Sequence, residues 1–350
     1  MTDRFKVLWV VSHLIHNDEK TTSLHASVRL RCLHIIQYLN TYAQNIEINL
    51  TSITRTIDVF HKVTAFNPDL VIIGQLYENH SNHIEILIKQ GYNLALDVSE
   101  NIFDDHKLNK IYRPLFKHNL HWVFPNESLQ KRFIDFMKDY PAPKSTTLIP
   151  NPPEGLPSKP AMPIDDSLGR CESMPLQLVW TGREACLHSL LGFLDQPSHL
   201  HIKLVVLTDL TSDIQDRLLS FLERRKSNIK VHLLPWSFDL QRRCIMQAHA
   251  SLITATPFTQ QCTKSSSRIV TSFWFGTPVV AMPLPEYKSF QQYAILTEDL
   301  HKGIERLVLT PWQHLEQRIG QAQFYIQDCF GIKKIGARWK DFIETKAFIN

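Results

Sequence analysis

The sequence has no C-x-x-C pair: its six cysteines, Cys32, Cys171, Cys186, Cys244, Cys262 and Cys329, stand far apart. That spacing argues against a zinc site or a disulfide framework, and it predicts a reducing, cytoplasmic compartment. Long apolar runs are missing too. None approaches the roughly 18–20 residues of a membrane-spanning helix. The first apolar stretch, FKVLWVV, gives out by His13 without the small-residue cleavage site of a secretory signal. Neither sign of charge dominates. Lys and Arg total 38 against 34 Asp and Glu, a net charge of +4, with the basic residues scattered, which points away from nucleic acid. Seventeen histidines include no H-E-x-x-H, and no D-x-D occurs, so no metal site is predicted. Glycine is scarce, with 11 in 350 residues, which limits close backbone approach to a phosphate.

What is present is a repeated alternation. Short apolar runs (5–11, 45–50, 69–74, 93–98, 120–124, 146–150) alternate with amphipathic stretches at helical spacing (26–42, 55–66, 79–91, 107–118, 126–138). Seven prolines between 150 and 175 forbid regular structure and read as a linker. The rhythm then restarts, with strands at 176–182, 202–208, 229–234, 250–255 and 277–282, and a mostly helical tail from 299. Strand–helix alternation predicts parallel sheets covered on both faces. The expected fold class is α/β, with two Rossmann-like, doubly wound domains facing a cleft. The expected division is 1–150, a linker over 151–175, a second domain over 176–330 and a last helix, 331–350, crossing back to the first domain.

The segment CTKSSSRIVTSFWFGTPVVAMPLPEYKSF, 262–290, carries the most chemistry. A loop over 256–264 leads to serines 265, 266 and 267 at a helix start. Serines there cap backbone N–H groups, and the same N–H groups with the helix dipole favour an anion. Lys264 and Arg268 flank them and suit phosphate oxygens. Pro283 and Pro285 are expected to force an extended path to Glu286 and Tyr287.

This run resembles the donor-site segment of family-4-like glycosyltransferases of the GT-B fold, in a bacterial polysaccharide branch with a K-S-x-x-R pattern. LVWTGRE (178–184), the stretch 231–255, ASVRLRCLHIIQYL (26–39) and LDVSENIFD (96–104) are similar to other pieces of the family, in the same order. The resemblance implies transfer of a sugar, with retention, from a nucleotide-diphosphate donor to a saccharide, lipid-linked or protein acceptor. No metal or other cofactor is implied, because basic side chains neutralise the diphosphate. It implies a cytoplasmic enzyme, with a place at the inner face of the membrane or against a partner protein left open. The residues it singles out are Arg183, Lys264 and Arg268 for the leaving diphosphate. Gly182, Trp236, Ser265, Ser266, Ser267, Pro285, Glu286 and Tyr287 would face the donor. Placement after predicted strands or beside a helix start, rather than the resemblance, makes Arg29, Asp97, Glu100 and His106 the expected acceptor-side residues, with His13, His16 and His25 as further candidates there. Arg29 and Arg31 lie two apart, so one is expected to face the site and the other solvent. The family's two glutamates fall on Thr263 and Thr271. A catalytically silent relative, binding a nucleotide or a partner protein, is the alternative.

Overall fold

The structure is a computed structural model, and it describes residues 4–347 other than 18–19, 54–55, 79, 161, 225–226 and 257–261. Most of the loop predicted over 256–264 therefore lies outside the described residues. The chain divides into two compact units. The first comprises Met1–Glu154, Cys262–Ser265 and Gln327–Asn350; the second comprises Gly155–Gln261 and Ser266–Ile326.

In the first unit the elements run β1 (Phe5–Val11), a hairpin of β2 (Ile15–Asn17) and β3 (Lys20–Thr22), α1 (Ala26–Val28), a π-helical turn (Arg29–Leu33) and α2 (His34–Tyr42). Then come β4 (Ile46–Ser52), α3 (Thr56–Phe66), β5 (Leu70–Ile73), α4 (Ser81–Lys89), β6 (Leu94–Asp97), α5 (His106–Tyr112), β7 (His121–Phe124), α6 (Glu127–Phe136) and β8 (Ser145–Leu148). Six of these strands form one parallel sheet in the order β4-β1-β5-β6-β7-β8. Strands buried on both faces read as continuous apolar runs, and β5, β6 and β7 are buried at every position.

The second unit contains β9 (Leu176–Thr181), α7 (Leu187–Leu194), β10 (Ile202–Thr208), α8 (Ser212–Glu223), β11 (Ile229–Pro235), α9 (Phe238–Met246), β12 (Ala250–Ile253), α10 (Ser267–Trp274), β13 (Val279–Ala281), β14 (Ile295–Leu296) and α11 (Leu300–Leu309). Its parallel sheet has the order β11-β10-β9-β12-β13-β14. Counted along the chain this is 3-2-1-4-5-6, the doubly wound Rossmann order. The tail is helical: α12 (Trp312–Phe330) and then α13 (Ile332–Ala347), which packs on α2 in the first unit. There Trp339 meets Trp9 at 4.8 Å between ring centroids.

The proline-rich stretch is irregular, and from Gly155 onward it is part of the second unit. The Ser158 amide donates to the Trp274 carbonyl at 2.9 Å, the Trp274 indole N–H donates to the Gly155 carbonyl at 3.0 Å, and Ile164 is buried in that unit's core. Prolines preset an extended path, and side chains and turn backbone supply the hydrogen bonds that no ladder provides. Gly276 ends α10 with φ +80°, and a Cβ there would lie 2.7 Å from the Ser158 and Lys159 carbonyl oxygens. Gly276→Ala is expected to lose about 2–4 kcal/mol, from left-handed strain plus backbone overlap, read as a lower urea midpoint.

His121 begins β7 fully buried, with Nδ1 2.7 Å from the Ser145 hydroxyl and its ring edge-on to Phe342. Burial, then Lys144 and Lys346, depress its pKa to about 4. A base whose folded pKa lies below its unfolded value stabilises the fold fully above the unfolded value. That contribution is lost as pH falls from about 6.5 toward about 4. His121→Gln is expected to remove this part of the acid destabilisation, at most about 3 kcal/mol, when urea midpoints at pH 7.5 and 4.5 are compared for both proteins.

Candidate functional site

In a parallel sheet all carboxyl ends share one edge, and in doubly wound folds ligands bind there, beside the point where strand order reverses. In the second unit that point lies between β9 and β12. Gly182 and Arg183 follow β9, and Ser266 precedes α10, the helix that follows β12. Trp236 follows β11, while Pro285, Glu286 and Tyr287 follow β13, so every second-unit residue singled out above lies at this one edge.

The geometry of each is specific. A Cβ on Gly182 would run into the ring of Trp180, a fully buried residue whose indole N–H donates to Thr254 Oγ1 at 2.9 Å. The glycine is thus required by the packing of β9. Arg183 is exposed and pairs with Asp209 at the end of β10, 3.2 Å away. Trp236 is half-buried at the strand end rather than in the core, and its indole N–H donates to Gln241 Oε1 at 2.7 Å. Ser266 occupies the N-cap position of α10, nearly buried, yet its hydroxyl makes no capping hydrogen bond, and the first turn holds no acidic residue. By contrast Thr211, Ser237 and Asp299 cap α8, α9 and α11 through their side chains. Ser267 and Arg268, both half-buried, form the first turn of α10. The extended path expected after Pro283 is instead a 3-10 helix, Pro285–Phe290. Pro285 takes its first position, where a missing N–H matters least. Glu286 is half-buried and Tyr287 fully buried, so of these two only Glu286 has accessible surface.

In the first unit the order reverses between β1 and β5. His13 follows β1, Tyr77 follows β5, and His25 stands before α1 with its ring stacked on Tyr77 at 4.7 Å and edge-on to His13 at 6.4 Å. His16, on β2, is exposed with Nδ1 3.1 Å from the Thr21 hydroxyl. The expectation that one of Arg29 and Arg31 turns to solvent is corrected: both are buried. The π-helical turn departs from the 3.6-residue spacing on which that expectation rested. Arg29 pairs with Glu154 at 2.9 Å and donates to the Ser23 and Leu24 carbonyls. Arg31 forks onto both oxygens of Asp97 and also donates to the Ile149 carbonyl and Asn151 Oδ1. Burial pushes the Asp97 carboxyl above the ordinary carboxylate range, against the pull of Arg31. His106 is exposed at the start of α5, while Asp105 caps that helix.

Lys264 and Ser265 belong to the first unit, unlike Ser266, Ser267 and Arg268. Lys264 pairs with Glu100, which follows β6, both half-buried. Sequence spacing separates these two by 164 positions and gave no sign of the pair. Also unanticipated were Gln75, whose Oε1 accepts from the Ser99 and Glu100 amides, and two asparagines, Asn126 and Asn151, at strand ends. Asn126 had a legible signal, since an Asn between a strand and a helix is a preferred N-cap. Among the described residues no three His, Cys, Asp or Glu side chains gather as a metal site would, and no helix is long and apolar enough to cross a membrane.

No family model and no curated protein matches the sequence. Solved structures do match. One, described as trehalose-6-phosphate from E. coli bound with UDP-2-fluoro glucose, aligns at a TM-score of 0.66 and 11% identity, covering 98% of this chain and 99% of that one. AviGT4, a glycosyltransferase involved in avilamycin A biosynthesis, aligns at 0.57 and 11% identity over 99% of each chain. TarM aligns at 0.59 and 12% identity over 81% of this chain, which spans only 57% of TarM. The fold is therefore that of the GT-B glycosyltransferases, two Rossmann-like α/β units.

Proposed function

We propose that the protein is a glycosyltransferase that moves a sugar from a nucleotide-diphosphate donor to a saccharide or glycoconjugate acceptor. The observation that carries this reading is the carboxyl edge of the second sheet. There Arg183 and the start of α10, with Ser266, Ser267 and Arg268, flank the reversal of strand order. A helix start with an anion-attracting dipole and a cation in its first turn suits a diphosphate. Lys264, two residues before Ser266 in the chain, is the third basic residue of the proposed set. The half-buried Trp236 offers an aromatic face to the base, and Glu286 a carboxylate to donor hydroxyls.

In the transfer, the bond between the anomeric carbon and the diphosphate oxygen breaks while an acceptor hydroxyl oxygen bonds to that carbon. The electron pair leaves with the diphosphate, where Arg268, Lys264 and Arg183 stabilise it electrostatically. With retention, the acceptor attacks on the face the diphosphate vacates, and a phosphate oxygen takes the hydroxyl proton. Neutralisation by these cations needs no metal ion. At the first unit's edge, Arg29, Asp97, Glu100 and His106 are the acceptor-side set. The buried Arg29 and Arg31–Asp97 contacts suit shaping that edge, and the exposed His106 suits direct contact.

The second reading, a relative that binds without turnover, rests on the threonines. Thr271 lies within α10 and Thr263 just before it, and neither is a carboxylate. Calorimetry with UDP, GDP and other nucleotides, paired with release of nucleoside diphosphate from sugar nucleotides, separates the two. The transferase reading expects binding with sugar transfer, and binding without any turnover would favour the silent relative.

A further inference from the structure

Three loops leave the carboxyl ends of the neighbouring strands β6, β7 and β8, and each delivers one side chain to residues 263–265. Glu100, after β6, pairs with Lys264, and its backbone amide is fixed by Gln75 Oε1 at 3.0 Å. Asn126, after β7, is buried; its Oδ1 accepts from the Leu129 amide at 2.8 Å and caps α6, while its Nδ2 donates to the Thr263 carbonyl at 3.0 Å. Asn151, after β8, accepts from Arg31 through Oδ1 at 2.8 Å and reaches the Ser265 hydroxyl through Nδ2 at 3.4 Å.

The chemistry of the partners settles how both amides point. A backbone N–H and a guanidinium can only donate, and a carbonyl can only accept. In each asparagine the oxygen is therefore committed to the first unit's own framework and the nitrogen to 263–265. Capping alone does not call for asparagine at 126, because Asp or Ser caps as well. A carboxamide caps with its oxygen while its nitrogen, a separate atom on the other arm, donates; an ionised carboxylate has no donor, and a serine hydroxyl must do both through one atom on a shorter stem.

We propose that Glu100, Asn126 and Asn151 are positioning residues. They dock 263–265 at the carboxyl ends of β6, β7 and β8 and so fix where Lys264 is presented to a diphosphate. Glu100 holds Lys264 in that arrangement. This rests on the transferase reading for its consequence, but not for the dock itself.

Asn126→Asp keeps the cap oxygen and loses the donor; Asn126→Ser keeps a capping oxygen without adding charge and replaces the amide donor by a hydroxyl on a shorter stem; Asn151→Asp keeps the acceptor for Arg31 and loses the donor. Amide hydrogen exchange in the full chain is expected to speed up by about fivefold to tenfold over 262–268 in these variants; Asn126→Asp, which buries a carboxylate against the Thr263 carbonyl, also lowers the melting temperature, and Asn126→Ser controls for that charge. The affinity for whichever of UDP and GDP binds the unaltered protein should weaken by a similar factor, about fivefold to tenfold. Unchanged exchange over 262–268 overturns the dock. Faster exchange with unchanged affinity overturns the positioning role. If neither nucleotide binds the unaltered protein, the transferase reading and the positioning role fall together, while exchange still decides the dock.

Discussion

Asp97→Ala is expected to lower the free energy of unfolding by about 3–5 kcal/mol, because it strands the Arg31 guanidinium without its counter-charge. Arg31 is 1% exposed and Asp97 4%, and their closest approach is 2.6 Å. The guanidinium also binds the Ile149 carbonyl and Asn151, so one side chain from the π-helical turn joins the ends of β6 and β8. Removing both charges together, as Arg31→Met with Asp97→Leu, is expected to cost less than Asp97→Ala alone, since no unpaired charge then remains buried. Urea unfolding of the three proteins checks this. A double variant no better than Asp97→Ala would mean that the pair's other hydrogen bonds dominate.

Arg268→Ala is expected to weaken nucleotide binding by roughly 10–100-fold while leaving the fold intact. A charge-assisted hydrogen bond to phosphate is worth about 1.5–3 kcal/mol. Arg268 is only half-buried in the first turn of α10, so its removal opens no core cavity. Calorimetric titration with UDP and GDP, beside a melting curve, reads both quantities. Thr271→Glu should not reproduce the loss, because it sits one turn further into the helix and removes no cation. Unchanged affinity for Arg268→Ala would return the serine run to an ordinary helix start.

The two sheets were legible because parallel strands buried on both faces are apolar at nearly every position, as in LVII at β5 and ASLI at β12. Their order was not, since hydrophobic periodicity carries no information on which strands become neighbours. The β2–β3 hairpin escaped notice because strands of three residues give too short an alternation to read. Arg29 and Arg31 were misjudged because a regular helix was assumed where the chain widens into a π turn. At the site, the helix start at 265–268 was legible from local residue types alone. The pairing of Lys264 with Glu100 and the double use of Asn126 were not. Both depend on residues more than a hundred positions apart meeting at strand ends.

The central claim is that a nucleotide sugar binds at the carboxyl edge of the second sheet, against the start of α10. Amide hydrogen exchange with and without a saturating nucleotide diphosphate tests it most directly. The account predicts slowed exchange confined in that unit to residues 182–184, 235–237, 266–270 and 284–288, the segments that follow β9, β11, β12 and β13. Slowed exchange at the opposite edge of the sheet, or none at 266–270 under saturation, would contradict it.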